Sequence, residues 1–312
     1  MKKIAGGILI LSLVFMAAHI SINLQYSKAF TSPGLKSSKV KMKQDLLCLM
    51  MAYSEYITDI ECADNGMVYL VMKSGKRIVY DDKRVKSIEE KIANPDLQDM
   101  MEQIYPLAPV KNLMDANFDP GRSRVYGLLG EVYGKSRQQI ESNLTNVKAV
   151  YNSFQFNGNN QAAESLQAVM QELIPLMEKR PDIRTCVLPC SGTYNYRYIS
   201  DTNRLSPHAF GIAIDLARDN RDYWKWASRE EGQNRLASYP EEIVDIFERN
   251  NFIWGGKWGH FDILHFEYRP EVILLARYFG DSHNSEELWY KGVSLEEPSI
   301  KSYIKKIDRT LK

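Results

Sequence analysis

Two stretches in the last third of the chain place polar side chains inside apolar runs, and the fold must accommodate them. Gly211-Ile212-Ala213-Ile214-Asp215-Leu216 reads as a buried strand carrying one carboxylate. A buried Asp is costly unless it is paired or bound to a cation. Ile263 to Tyr268 reads as a second strand, with His265 and Glu267 on one face and Leu264, Phe266 and Tyr268 on the other. Each strand needs a neighbour that can satisfy a charged or polar group in the interior.

The histidines narrow the choice. His19 falls in the N-terminal apolar segment and His283 in a polar loop, whereas His208, His260 and His265 lie among carboxylates. His208 stands seven residues before Asp215, so strict alternation would put the two on opposite faces. Gly211 offers a bend or bulge that brings them together. A buried His–Asp hydrogen bond is the plain alternative to a metal pair. Three protein ligands leaving one open position is the usual arrangement of a catalytic zinc site, and zinc accepts both imidazole and carboxylate. His260 competes with His265 as the third imidazole, but its place at the Gly255–Gly259 turn reads as cleft or surface.

Other chemistries fit less well. No His-Glu-x-x-His motif is present, and Ser206 beside His208 lacks the Gly-x-Ser-x-Gly setting of a serine nucleophile. No Cys has a recognisable catalytic context. Trp254 and Trp258 are candidates for a groove wall or for the core. Lys and Arg number 40 against 39 Asp and Glu, so the basic field required for nucleic-acid binding is missing and no nucleic-acid partner is expected.

Along the chain, Lys2 and Lys3 precede an apolar run from Ile4 to Ala18. Residues 1–29 therefore read as a signal peptide, cut after Ala29, or as a retained N-terminal membrane anchor. Either places the rest outside the cytoplasm. Residues 30–43 read as a linker, 44–110 as a small α+β module, 111–160 as a helical connector, 161–290 as the main domain and 291–312 as a C-terminal tail. Strands are expected at Met67–Met72 and Arg77–Tyr80, and helices at Ser136–Asn152 and Gln161–Lys179. Pro175 is expected to kink the last of these. Four cysteines permit two disulfides, Cys48–Cys62 and Cys186–Cys190 being the simplest pairing, or four unpaired thiols.

Taken together, Ser206-x-His208-x-x-Gly211-x-Ala213-x-Asp215, Trp254-Gly255-Gly256 and Asp262-x-x-His265-Phe266 resemble the D-Ala-D-Ala carboxypeptidase and L-Ala-D-Glu endopeptidase family. These are bacterial wall peptidases and phage endolysins, related in fold to the zinc domain of hedgehog proteins. The resemblance runs from about Ser191 to Tyr268 and leans toward the endopeptidase-like branch. It implies Zn2+ held by His208, Asp215 and His265, a general base at Asp262 where many members have Glu, and Arg197 as the cation on the substrate carbonyl or carboxylate. Glu267 remains the rival base. The fold implied is α+β, a hedgehog/DD-peptidase-like zinc domain with an antiparallel sheet, preceded by the small α+β module. The function implied is an exported zinc metallopeptidase that hydrolyses peptidoglycan stem peptides with metal-activated water. A non-catalytic, zinc-stabilised cell-wall-binding or adhesion domain is the competing expectation.

Overall fold

The computed structural model describes residues 38–149, 152–280 and 288–311. The N-terminal apolar segment, read from sequence as a signal or anchor, and His19 and His283 lie outside the described residues. Two units are distinguished, Met1–Lys41 and Met42–Lys312, and the second carries the architecture that follows.

Leu46, Leu47, Leu49 and Met50 are buried on α1 (Ser38–Ala52), with Tyr53 just beyond its end. A three-stranded antiparallel sheet follows in the order β1 (Ile57–Cys62), β2 (Val68–Met72) and β3 (Arg77–Val79). The first of these strands was not among the strands expected from sequence. Two short helices come next, α2 (Ile88–Ala93) and α3 (Leu97–Met101), each opened by a capping box, from Ser87 with Glu90 and from Asp96 with Asp99. Pro95 lies between them, where the helical pattern breaks.

Helices α4 (Tyr126–Tyr133) and α5 (Arg137–Ser142) precede a two-stranded hairpin, β4 (Leu144–Lys148) with β5 (Ser153–Asn157). The expected helix over Ser136–Asn152 is therefore corrected. Ser136 does cap a helix, accepting from Gln139 N, but that helix stops at Ser142. Val147, Phe154 and Phe156 then bury alternate positions, a period of two that a helix cannot satisfy. Helix α6 (Ala162–Lys179) buries Leu166, Val169, Met170, Leu173 and Met177, continues through Pro175, and hands over to α7 (Pro181–Val187) with Pro181 at its first turn.

The third sheet positions the site. Strand β6 (Ala213–Asp215) is followed by α8 (Arg229–Ala237) and α9 (Glu241–Arg249), then β7 (Phe252–Trp254) and β8 (His265–Tyr268). The sheet order is β6-β8-β7, antiparallel throughout. Helix α9 ends at Asn250, and Asn251 takes a left-handed conformation (φ 66°), a position Asn tolerates well. Phe247 of α9 stacks on Phe266 of β8 with ring centroids 3.9 Å apart, so the helix covers the apolar face of the sheet. This is an α+β architecture of helices with small antiparallel sheets.

Helix α10 (Pro270–Phe279) follows β8. The residues read from sequence as a C-terminal tail hold α11 (Pro298–Thr310), which buries Ile300, Ile304 and Ile307. Lys306 Nζ on this helix donates to the Thr58 carbonyl of β1 at 2.6 Å. The early residues are also bonded into the rest of the unit. Tyr53 Oη donates to Glu271 (2.7 Å), Tyr105 Oη to Glu248 (2.5 Å) and Lys257 Nζ to the Pro106 carbonyl (2.7 Å). Cys48, Cys62, Cys186 and Cys190 form no disulfide with one another, and Cys62 is exposed while Cys48 is buried. Among the described residues no helix is long and apolar enough to cross a membrane.

Candidate metal centre

Asp215 and His265 are direct partners across the β6–β8 pair, which places their side chains on one face. His208 reaches the same point from a 3-10 turn, Pro207–Phe210, rather than from the strand itself. Gly211 closes that turn in the left-handed region (φ 69°), and a Cβ there would come within 2.7 Å of Leu144 and 3.1 Å of the Asn157 nitrogen. The bend at Gly211 thus resolves the parity problem posed by the seven-residue spacing.

The three donors converge. Asp215 Oδ1 lies 2.8 Å from His265 Nδ1 and 3.2 Å from His208 Nε2, and the two imidazole nitrogens are 3.3 Å apart. A tetrahedral cation with ligands at about 2.0–2.1 Å holds them about 3.3 Å from one another. Two imidazoles and a carboxylate at these separations fit a first-row divalent ion.

The second nitrogen of each ring is oriented by a partner. His208 Nδ1 donates to the Thr193 carbonyl (2.6 Å), which leaves Nε2 for the centre. His265 Nε2 faces Glu267 at 3.8 Å, which leaves Nδ1. Such partners fix the tautomer and raise the basicity of a metal-ligating histidine. Glu267 is fully buried and gripped by Arg124 through two hydrogen bonds, Nε to Oε1 (2.8 Å) and Nη2 to Oε2 (2.5 Å). Burial would raise its pKa, but Arg124, His265 and Arg269 hold it far below the usual carboxylate range. A carboxylate so placed and so paired supports the ring and is a poor proton acceptor.

Electrostatics within the triad follow the same geometry. Burial disfavours the Asp215 anion, yet the neighbouring His208 and His265 keep its carboxyl well below the normal range. Burial also opposes charge on His265, but hydrogen bonds to Asp215 and Glu267 lift its pKa to about 10.

Asp262 occupies a different side. Its N–H donates to the Gly255 carbonyl (2.9 Å) and its own carbonyl accepts from His265 N–H (3.1 Å), so a tight turn sets it beside the third ligand. A Cβ on Gly255 would meet the Asp262 carbonyl oxygen at 2.5 Å, which is why the turn carries glycine there. The loop after β6 braces this turn, since Ile263 N–H donates to the Asp222 carbonyl (2.7 Å) and Tyr223 bridges to Asp262. Burial lifts the Asp262 carboxyl to about 7, against the pull of His265 and with the push of Asp215. A pKa near neutrality is what a general base requires.

Arg197 is exposed on the segment that runs from Gly192 beside β6 and the His208 turn. This segment is fastened to β6 by Asp215 N–H to the Gly192 carbonyl (2.8 Å) and to the turn by Asn195 N–H to the His208 carbonyl (3.2 Å). The Arg197 charge acts on Tyr223, which lies against Asp262.

Residues 200–268 match the D-alanyl-D-alanine carboxypeptidase family model. No curated protein and no solved structure matches the chain. The carboxypeptidase-family segment spans under a quarter of the 312 residues and contains His208, Asp215, Asp262 and His265. It supports a peptidase. Arg197, Thr193 and Arg124 lie outside it.

The remaining sequence candidates sort cleanly. His260 is not in the triad, because its Nδ1 lies 2.7 Å from Asp119 Oδ2 and its ring meets Trp224 edge-on. Trp254 and Trp258 are buried and donate to the Ile263 and Pro120 carbonyls at 2.7 and 2.8 Å, so neither is a groove wall. Trp226, half-exposed beneath Arg218, and Tyr198, next to Arg197, are exposed aromatics. Sequence reasoning missed Tyr223 and Arg124. Nothing in their local sequence marks them, since each acts through a partner distant in the chain. A second carboxylate group, Asp81, Asp82 and Asp96, is also close enough to hold a cation. Lys86 sits within this group, 2.9 Å from Asp82 and 2.8 Å from Asp96, so its ammonium already fills that role.

Proposed function

We propose that this chain is an exported zinc metallopeptidase acting on peptidoglycan stem peptides, of D-Ala-D-Ala carboxypeptidase or L-Ala-D-Glu endopeptidase type. The observation that carries the reading is the convergence of His208 Nε2, Asp215 Oδ1 and His265 Nδ1, with Asp262 one tight turn away. The matched family segment supports the peptidase class, and Lys2-Lys3 followed by the Ile4–Ala18 apolar run supports export. A hedgehog/DD-peptidase type of fold is consistent with the β6-β8-β7 sheet that carries the centre.

Zinc, when bound, supplies Lewis-acid polarisation of the scissile carbonyl and lowers the pKa of water. The protein's own residues do the rest. Asp262, with its pKa near 7, takes a proton from the attacking water and returns it to the departing amine. Arg197 steadies the carbonyl oxygen as negative charge develops on it. Thr193 and Glu267 keep the imidazoles turned the right way. Glu267 does not serve as base here, because Arg124 occupies both of its oxygens.

The test is digestion of purified peptidoglycan with fragments identified by mass spectrometry, alongside metal analysis of protein never exposed to chelator. Near-stoichiometric zinc and peptide-bond cleavage are expected. The Asp262→Ala protein should retain zinc and lose about 10²–10⁴-fold in rate. Unchanged hydrolysis by that variant, or zinc-free folded protein, would refute the scheme.

A further inference from the structure

The third ligand stands at one end of a line of buried charges that runs away from the centre. His265 and Glu267 occupy alternate positions of β8, and Arg269 and Glu271 keep the same spacing into the first turn of α10. Alternate residues of a strand share a face. Glu267, Arg269 and Glu271 are all fully buried, which charged side chains tolerate only in pairs. Arg269 Nε donates to Glu271 Oε1 (2.6 Å), and its Nη1 reaches Glu267 Oε1 at 3.4 Å. Nη1 and Nη2 also donate to the Gly121 and Ser123 carbonyls, just before Arg124 in the chain.

Tyr53 closes the far end. Its Oη donates to Glu271 Oε2 at 2.7 Å across 218 residues of sequence, and its ring is fully buried. The two guanidinia of Arg124 and Arg269 thus meet the two carboxylates of Glu267 and Glu271, with no net charge. The sharing is uneven. Arg269 lies 2.6 Å from Glu271 and 3.4 Å from Glu267, while Glu267 Oε2 faces His265 Nε2 at 3.8 Å. Glu271 therefore holds Arg269 back from Glu267. Were that anion missing, the buried guanidinium would turn to Glu267, the other carboxylate of the group, and compete with the imidazole for it.

We propose that Glu271, held by Tyr53, is a positioning residue for the metal centre, keeping Arg269 occupied so that Glu267 stays on the His265 ring. This deepens, and rests on, the metal-centre reading of the same site. Glu271 acts through Glu267, and the orientation of a ligating imidazole by such a carboxylate is the kind of contact that tunes metal affinity. The consequence reaches the first helix. Tyr53 directly follows α1, so the seating of that helix bears on the metal affinity of a site whose ligands lie between His208 and His265.

The experiment titrates the purified, metal-free full-length chain with zinc and with cobalt. Zinc affinity is read by competition with a chromophoric chelator, and coordination from the visible spectrum of the cobalt form. Glu271→Gln keeps the shape and removes the anion, and should weaken zinc binding about tenfold, the low end of losses at partners of metal-bound histidines, with an altered cobalt spectrum. Glu271→Asp should recover part of the loss. Tyr53→Phe, one contact further out, should weaken binding about threefold. The comparison variant is Tyr80→Phe, because Tyr80 Oη donates to Asp45 Oδ2 (2.7 Å), another buried phenol–carboxylate pair that holds α1 but stands outside this line. It should lower the melting temperature and leave zinc affinity and the cobalt spectrum unchanged. Affinities are measured where each variant is fully folded, so a purely structural role would not move them. Unchanged zinc affinity in folded Glu271→Gln and Tyr53→Phe, or an equal loss in Tyr80→Phe, overturns the proposal. Should Glu271→Gln not fold, Tyr53→Phe decides by the same criterion. A wild-type chain that binds no zinc instead sinks the metal-centre reading, and this proposal with it.

Discussion

At the residue scale the centre is held by pairs that only a folded chain brings together. His208, Asp215 and His265, the set implied by the family resemblance, do come together, whereas spacing alone leaves His260 competing with His265. Between Asp262 and Glu267 the family resemblance favours Asp262, and the pairing of Glu267 with Arg124, 143 residues earlier in the chain, supports the same choice by engaging both Glu267 oxygens. Removing Arg124 leaves a fully buried carboxylate with only the longer Arg269 contact, at 3.4 Å, as cationic partner. Arg124→Ala should therefore cost about 3–5 kcal/mol in stability, measured by denaturant unfolding. It should also weaken metal binding about 10–100-fold through the loosened His265 ring.

Protonation at the same residues yields a second test. His265 is lifted to about 10 by Asp215 and Glu267 despite burial, so in metal-free protein its ring is charged at neutral pH. A metal ligand must be neutral imidazole, so metal binding has to expel that proton. Calorimetry in buffers of different ionisation heat should detect about one proton released near pH 7.5, with apparent affinity rising as pH rises toward 10. The sign for metal-free stability is the reverse. A raised histidine pKa contributes stability fully below the unfolded value of about 6.5, and that contribution fades as pH climbs through the folded value. Proton uptake on metal binding would contradict this picture.

At the scale of elements, periodicity served well where one face is buried and poorly where pairing decides. Helix α6 was readable because Leu166, Val169, Met170, Leu173 and Met177 recur at helical spacing. The β4–β5 hairpin was misread. Its first strand, Leu144–Lys148, buries only Val147, so the local signal is weak and the partner strand settles the outcome. Gly211 illustrates the opposite case. Its role as a bend was visible from the His208–Asp215 spacing, although the tight approach of Leu144 was not. A Gly211→Ala change should strain the left-handed position by about 1–2 kcal/mol before any clash is counted, seen as a lower melting temperature with zinc content also reduced. A variant as stable as the parent would mean that the turn has no such demand.

On the scale of the whole molecule, the chain is more closely tied end to end than its sequence suggests. Residues expected as a tail form α11, whose Ile300, Ile304 and Ile307 are buried while Lys306 bonds to Thr58 on the first sheet. Burial of each Ile stabilises by about 1.5–3 kcal/mol. Deleting residues 298–311 should accordingly lower the melting temperature markedly and expose β1 to protease. A truncated protein as protease-resistant as the parent would show that α11 merely rests on the surface.

The Arg124–Glu267 pair has a consequence for how the molecule comes into being. Contacts that span so much chain form slowly, because the intervening loop must close before the contact contributes anything. A ribosome still short of residue 265 has made Arg124, His208 and Asp215 but neither the third donor of the cluster nor the carboxylate that turns its ring. The candidate metal centre is therefore a late product of folding, and a partly synthesised chain carries most of its ingredients without their arrangement.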